Sequence, residues 1–227
     1  MEGRTHPSVG KNMTMRIGTW NLAGRWSPRH KALLEQAGCE VWLLTEVPAA
    51  LALEDGDLIR SEEIPRTEAR SWAAVWSDEP VAMWPPPHPA AAAARRDGIL
   101  FCSCVLPWPD AGSDVAGITV AALARLRPAL TSDDCPVVWG GDWNQAMEGQ
   151  EYAGSRIGRG AIQELVSDAG LAVATADEPH AIDGLLSIDH IAVPAGWRID
   201  SSRRVVAEAD GERLSDHDAY VVDVAAP

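Results

Sequence analysis

Apolar and polar positions alternate over several short runs, and most of these runs stop on an acid, an amide or an imidazole. Met15 to Leu22 predicts a strand that delivers Asn21 at its end. Val41 to Glu46 is apolar enough to be buried on both faces and ends on Glu46. Between them, Ser27-Pro28 predicts a helix start with proline at the first helical position, and Gly38 a stop. Ser71 to Trp76 and Val81 to Trp84 predict a hairpin broken by Pro80, and Pro85 to Ala94 an exposed loop of low complexity. A strand over Gly98 to Leu106 follows, then a helix capped by Asp114 and running to Ala129. Pro136 to Gly141 reads as a short buried strand, and Gly160 to Ala169 as a helix with Ile162, Leu165 and Val166 on one face. Three more strands are predicted near 187–193, 203–207 and 218–224.

Strands outnumber helices, and short hairpins mix with helical crossovers. The expected class is α/β: a four-layer α/β sandwich, two packed mixed β-sheets flanked by helices. A chain of 227 residues suits one such domain, placed at 15–227, with 1–14 as a disordered lead-in and Met13 or Met15 as candidate starts. No apolar run approaches the length of a membrane span and no signal peptide opens the chain, so a cytoplasmic protein without a membrane partner is expected.

The polar strand ends are what the pattern leaves unexplained. Asn21, Glu46, the pair Asp142 and Asn144, Asp189-His190 and Asp216-His217 all stand where a strand ends or begins. Five strands doing this predict one shared rim and one polar pocket. Acidic residues number 33 against 19 basic ones, a net charge of −14. Such a surface repels polyanions, which disfavours bulk duplex DNA as a partner but leaves room for a local basic or metal-lined pocket. Cys39, Cys102, Cys104 and Cys135 form no C-x-x-C pair and are expected as free thiols, Cys102 and Cys104 on one side of a strand. Of ten tryptophans, Trp20, Trp42, Trp72, Trp76 and Trp139 lie in strand-like runs and are expected to pack. Trp143, between Asp142 and Asn144, is a candidate for the substrate pocket.

Gly140-Gly141-Asp142-Trp143-Asn144 is the sharpest motif: two glycines for a tight turn, then a proton acceptor and an amide that can hold an oxyanion, with a self-stabilised Asx turn as the alternative. Glu46 at the end of an apolar strand needs a cation or hydrogen-bond donors, and a hard divalent ion with oxygen ligands suits it. Strand alternation puts Asp189 and His190 on opposite faces, so Asp189 is the site candidate and His190 a structural histidine. A zinc site built from His180, His190 and His217 is the competing reading, without a helical H-x-x-x-H or a cysteine pair behind it.

Thr19-Trp20-Asn21, Thr45-Glu46, Gly141-Asp142-Trp143-Asn144, Ser187-Ile188-Asp189-His190 and Ser215-Asp216-His217-Asp218 follow one another in the order seen in a single superfamily. The chain resembles the endonuclease/exonuclease/phosphatase superfamily from about residue 15 to 224. The resemblance implies a Mg²⁺- or Mn²⁺-dependent phosphoric ester hydrolase acting on a phosphodiester in a small molecule or nucleic-acid fragment, a nucleotide included. It also implies roles: Asn21, Glu46 and Asp216 toward the metal; Asp142 toward water; Asn144 toward the phosphate; and His217, oriented by Asp189, as the imidazole that activates water or stabilises developing charge. A phosphomonoesterase on the same site, or a binding module without turnover, are the alternatives.

Two departures bear on activity. The family's histidine at the end of the central strand is missing from Phe101 to Trp108, where Val105 takes its place, and the tyrosine of some nuclease branches has no match. Loss of one such donor costs about 10²–10³ in rate. Ser103, His180 or an arginine could replace it, and Arg156 and Arg159, ahead of the helix expected at Gly160, are the leading candidates to bind phosphate.

Overall fold

The structure, a computed structural model, describes residues 13–108 and 114–227. The first half of the chain runs β1 (Met13–Asn21), α1 (Pro28–Ala37), β2 (Val41–Val47), β3 (Asp57–Arg60), β4 (Ser71–Ser77), β5 (Ala82–Trp84), β6 (Ala91–Arg96) and β7 (Ile99–Val105). The second half runs α2 (Val115–Leu130), β8 (Val137–Asp142), α3 (Arg156–Asp168), β9 (Leu171–Val173), β10 (Asp189–Pro194), β11 (Arg198–Val205), β12 (Glu208–Ala209), β13 (Glu212–Arg213) and β14 (Ala219–Ala226).

Two six-stranded sheets pack face to face, ordered β11-β14-β1-β2-β4-β3 and β5-β6-β7-β8-β10-β9. Each is built around one parallel pair, β1 with β2 and β7 with β8, flanked by antiparallel neighbours. A parallel pair needs a crossover, and α1 and α2 supply the two. Three apolar layers hold the four structural layers together. Ile17, Leu43, Phe101 and Ile191 meet between the sheets. Trp20, Trp42 and Leu44 pack under Leu34 of α1. Leu100, Trp139 and Trp143 pack under Leu123 of α2 and Ile162 and Leu165 of α3. The four-layer sandwich is therefore as expected, and its strand registers bring the ends of β1, β2, β7 and β8 and the starts of β4, β6, β10 and β14 to one rim.

The helix boundaries follow local chemistry. Pro28 opens α1 and Gly38 closes it in the left-handed region at φ 64°. Asp114 caps α2 by accepting the Gly117 N–H at 3.0 Å. Helix α3 starts at Arg156, four residues ahead of the expected Gly160, because the Ser155 hydroxyl accepts the Gly158 N–H at 3.0 Å.

Three expectations are corrected. The lead-in assigned to 1–14 overlaps β1, which already includes Met13 and Thr14; residues 1–12 lie outside the described residues. The hairpin over 71–84 does not form: β4 belongs to one sheet, and β5 pairs with β6 in the other. The loop assigned to Pro85–Ala94 ends in a buried strand, with Ala91 and Ala93 in the layer under the helices and Ala92 and Ala94 between the sheets. Alanine has little strand preference of its own, so pairing with β5 and β7 decides. β3 and β9 are short strands that weak patterning did not reveal.

The four cysteines are free; Cys102 and Cys104 share the face of β7 that packs under the helices. Among the described residues no helix is long and apolar enough to cross a membrane.

Candidate active site

Strand pairing fixes the position of each polar strand end. Asp189 lies directly opposite Asp142 across the β8–β10 ladder, and Val105 opposite Asp142 across the β7–β8 ladder. β8 can run so close to its neighbours because of two glycines. A Cβ on Gly140 would lie 2.5 Å from the His190 carbonyl oxygen, and one on Gly141, at φ 119°, would lie 2.2 Å from the Cys104 carbonyl oxygen. These glycines serve close strand approach, and the turn expected of them comes afterwards at Asn144, whose φ is 51°.

Asn21 is fully buried, and its amide donates to Asp142 Oδ2 at 2.9 Å and to Glu46 Oε1 at 3.2 Å, joining the two sheets at the rim. Asp142 Oδ1 accepts the Asn144 N–H at 2.9 Å. Asp189 Oδ2 pairs with His217 Nδ1 at 2.7 Å, while its Oδ1 is buried with no partner. The His217 turn is pinned from two sides: the Trp20 indole donates to its carbonyl at 3.1 Å, and the Ser215 hydroxyl accepts its N–H while donating to the Asn21 carbonyl.

One oxygen each from Asp142 and Asp189 and one nitrogen of His217 lie within 4.8 Å of one another. Burial, and then the charge of Asp189, push the Asp142 carboxyl up to about 7, against the opposing pull of His217 and the hydrogen bonds from Asn144 and Asn21. Burial disfavours charge on His217 as well, but the charge and hydrogen bond of Asp189, with Asp142 and Asp216 behind them, overcome it and raise the imidazole to about 10. The pocket thus holds a carboxyl poised near neutrality beside a cationic imidazole.

Glu46 stands apart from this trio. Its backbone is left-handed at φ 47°, a strained choice for a glutamate that aims the side chain along the rim. Oε1 takes the Asn21 amide, and Oε2 takes Arg70 Nη1 at 3.0 Å. The cation expected beside Glu46 is therefore, in part, a residue of the chain itself. Arg70 directly precedes β4; no motif or strand end marks it, and it was missed in the sequence. Asp216 is exposed next to His217 and lies outside the compact trio. An unpartnered Asp189 oxygen beside the crowded, buried Asp142 carboxylate suits a cation, and Glu46, Asn21 and Asp216 stand at the same rim.

The other candidates fall into place. Asn144 donates its side-chain amide to the Leu106 carbonyl at 2.9 Å and keeps a half-buried place beside Asp142. His190 is fully buried, donating from Nε2 to the Gln145 carbonyl at 2.9 Å and accepting at Nδ1 from Thr175; burial pushes it down to about 4, as suits a structural histidine. Trp143 is a correction. It is 1% exposed and stacks on Trp139 at 4.1 Å under α3, because strand alternation puts it, four residues on, on the same outer face as Trp139, so it packs the core. Arg156 and Arg159 fall within the first turn of α3; Arg159 donates to the Gly149 carbonyl at 3.1 Å, and neither is bonded to the clustered carboxylates. Ser103 is spent on the Leu44 carbonyl at 2.9 Å, and His180 meets Tyr152 edge-on with its Nδ1 accepting the Ile182 N–H. Asp218 takes the Ala207 N–H and pairs with Arg204 and Arg213, which fixes the loop ahead of β14. Next to Val105 the rim opens into an apolar cleft of about 320 Å³ between Trp72, Trp108 and Ile118.

Comparison with known proteins follows the same outline. The sequence model of the Endonuclease/Exonuclease/phosphatase family matches residues 18–217. Among solved structures, the 3'-5' exonuclease NExo from Neisseria meningitidis superposes with a TM-score of 0.70 at 20% identity, covering 92% of this chain and 98% of that one. An endonuclease/exonuclease/phosphatase from Beutenbergia cavernae gives 0.65 at 16% identity over 94% and 72%. The endonuclease domain of TRAS1, a telomere-specific non-LTR retrotransposon, gives 0.61 at 14% over 93% and 98%. At these identities the likeness is one of fold. No curated protein matches the sequence.

Proposed function

The chain belongs to the Endonuclease/Exonuclease/phosphatase family, and from that premise we propose that it is a Mg²⁺- or Mn²⁺-dependent phosphoesterase that hydrolyses a phosphodiester in a small or nucleic-acid-derived substrate. One observation carries the reading: two buried carboxylates and an imidazole converge within 4.8 Å, with an orphaned carboxylate oxygen among them.

A divalent ion held by Glu46, Asn21 and Asp216 would offset charge on the phosphate oxygens. The remaining work belongs to the chain. Asp142, raised to about 7, is suited to take the proton of an attacking water at neutral pH. His217, raised to about 10, stays cationic and is suited to stabilise charge developing on phosphate oxygens, with Asp189 fixing its ring. This divides two roles that family resemblance alone leaves shared. Asn144 keeps one amide proton free of Leu106 and is suited to hold a phosphate oxygen.

The deciding experiment is hydrolysis of a panel of diesters, monoesters, nucleotides and short DNA by the purified protein with Mg²⁺ or Mn²⁺, beside Asp142→Asn. Turnover that needs the ion and falls by about 10²–10⁴ in the variant is expected. Preference for monoesters would move the substrate class while keeping the site. A second reading, a phosphoester-binding protein without turnover, is favoured by Val105, which sets an apolar side chain opposite Asp142 where a donor would stand. Ion binding with no turnover on any panel member would select it.

A further inference from the structure

Resting on the phosphoesterase reading, we propose that Arg70 is an exchangeable partner: it holds Glu46 while no divalent ion is bound, and gives up that carboxylate for the substrate's phosphate when an ion arrives.

The placement is dictated by the sheet. β4 runs antiparallel to β2 with Ser71 opposite Val47, so the residue ahead of Ser71 is set at the same rim as Glu46. Among the described residues, Arg70 is the one lysine or arginine ion-paired with Glu46, Asp142, Asp189 or Asp216. Its contact is a single bond at 3.0 Å between side chains that are 33% and 32% exposed, a water-accessible pair of the kind that exchanges partners readily. Glu46 divides its two oxygens between Asn21 and Arg70. The oxygen facing the guanidinium is thus the one a metal ion would have to win.

The neighbouring loop is shaped around this guanidinium. A Cβ on Gly24 would lie 2.0 Å from Arg70 Cζ, and Gly24 has a φ of 66° that other residues rarely adopt. The Gly24 N–H also donates to the Glu46 carbonyl at 2.9 Å, tying loop and strand end together. Outside the pair lies a cavity of about 540 Å³ bordered by Gly24, Trp26, Arg66, Thr67, Glu68 and Arg70 itself, which gives the side chain room to swing.

The chemistry favours the exchange in one direction. A guanidinium binds phosphate through two parallel hydrogen bonds, more than the single one it makes to Glu46. A hard divalent ion prefers the carboxylate oxygen. Ion and substrate together therefore satisfy Glu46 and Arg70 better than the two satisfy each other. The exchange also supplies a cationic donor at a rim where Val105 provides none and where, among the described residues, neither Arg156 nor Arg159 pairs with a site carboxylate.

The test is Arg70→Gln, read out by Mn²⁺ titration with electron paramagnetic resonance and by steady-state kinetics on the best panel substrate. Loss of the internal competitor is expected to tighten Mn²⁺ about tenfold, while loss of the phosphate donor lowers kcat/KM about 10²-fold. A purely structural arginine would not move the two in opposite directions. Unchanged or weaker Mn²⁺ binding overturns the proposal, and so does tighter Mn²⁺ with unchanged kcat/KM. Should Arg70→Gln not fold, Arg70→Lys carries the same two readouts, each smaller, because a point charge without the planar two-pronged donor serves both partners less well. If the wild-type protein neither binds Mn²⁺ nor turns over any substrate, the phosphoesterase reading falls. If it does both and Arg70→Gln leaves Mn²⁺ binding unmoved, the Arg70 inference falls alone.

Discussion

The two ends of this sandwich are both rich in charge, and they handle it in opposite ways. At the far end, the nearly buried Arg96 serves Asp78, Glu79 and Asp97 and also donates to the Glu40 carbonyl and the Ser77 hydroxyl. Arg16 pairs with Asp223, which also takes the Ser201 hydroxyl. Every one of those acids has a partner from the chain. At the site end, Asp142 and Asp189 are more deeply buried, at 2% and 1% exposure, yet no lysine or arginine pairs with either among the described residues. One end closes its electrostatics internally and stabilises the fold. The other leaves negative charge and an empty-handed carboxylate oxygen for something that comes from outside.

Breaking the site end should produce the largest effect. Asp142→Asn is expected to lower turnover by about 10²–10⁴ while leaving the protein folded, as rate measurements beside a thermal melt would show. The equivalent change at the far end, Asp78→Asn, should leave turnover where it is.

pH separates the two ends by sign. Asp142 and His217 are raised to about 7 and about 10 from ordinary values of 3.8 and 6.5. The stability each contributes is full below its ordinary value and lost as pH rises through the folded value. The ion-free protein should lose on the order of a few kcal/mol from pH about 4 to 10. Asp142→Asn should flatten the lower part of that slope and His217→Gln the upper part, and Mn²⁺ should protect more at pH 8 than at pH 5. At the far end the hydrogen bond from Arg16 holds Asp223 below its ordinary 3.8, so its contribution is present above that value and is lost as pH falls. Denaturant midpoints against pH would read both slopes; equal signs at both ends would break the comparison.

Arg96→Met should cost about 1–3 kcal/mol, because it removes the buried charge-assisted bonds to the Glu40 carbonyl and Ser77 hydroxyl, each left with one backbone N–H, while the three acids return to water. Urea unfolding measures it, and kcat of the folded fraction should not change. The smallest effect is expected for Arg16→Met: the pair with Asp223 is half-exposed, so a loss of less than about 1 kcal/mol that vanishes in high salt is the expected outcome.

Much of the site was legible because strand geometry is simple. A period of two placed Asp189 toward the pocket and His190 away from it, and His190 is indeed spent on Gln145 and Thr175. The same rule put Cys102 and Cys104 on one face. What misled was information that is not local. The alanines of β6 carry no strand signal until β5 and β7 pair with them. The stretch from 71 to 84 reads as a hairpin because nothing in it says that β4 and β5 belong to different sheets. Trp143 sits between two site residues in the chain, yet it shares the outer face of Trp139 and packs under the helices, away from Asp142.

The sequence by itself determined which strands end on polar groups, the four-layer arrangement and the membership of Asn21, Asp142, Asp189 and His217 in one pocket, since these follow from short-range periodicity and ordered motifs. Tertiary structure alone decided which charges meet. Arg70 reaches Glu46 across 24 residues, and Asn21 reaches Asp142 across 121. A carboxylate's partner, and hence its proton affinity and its readiness for a metal ion, depends on distances of a few ångströms that only the packing of two sheets sets.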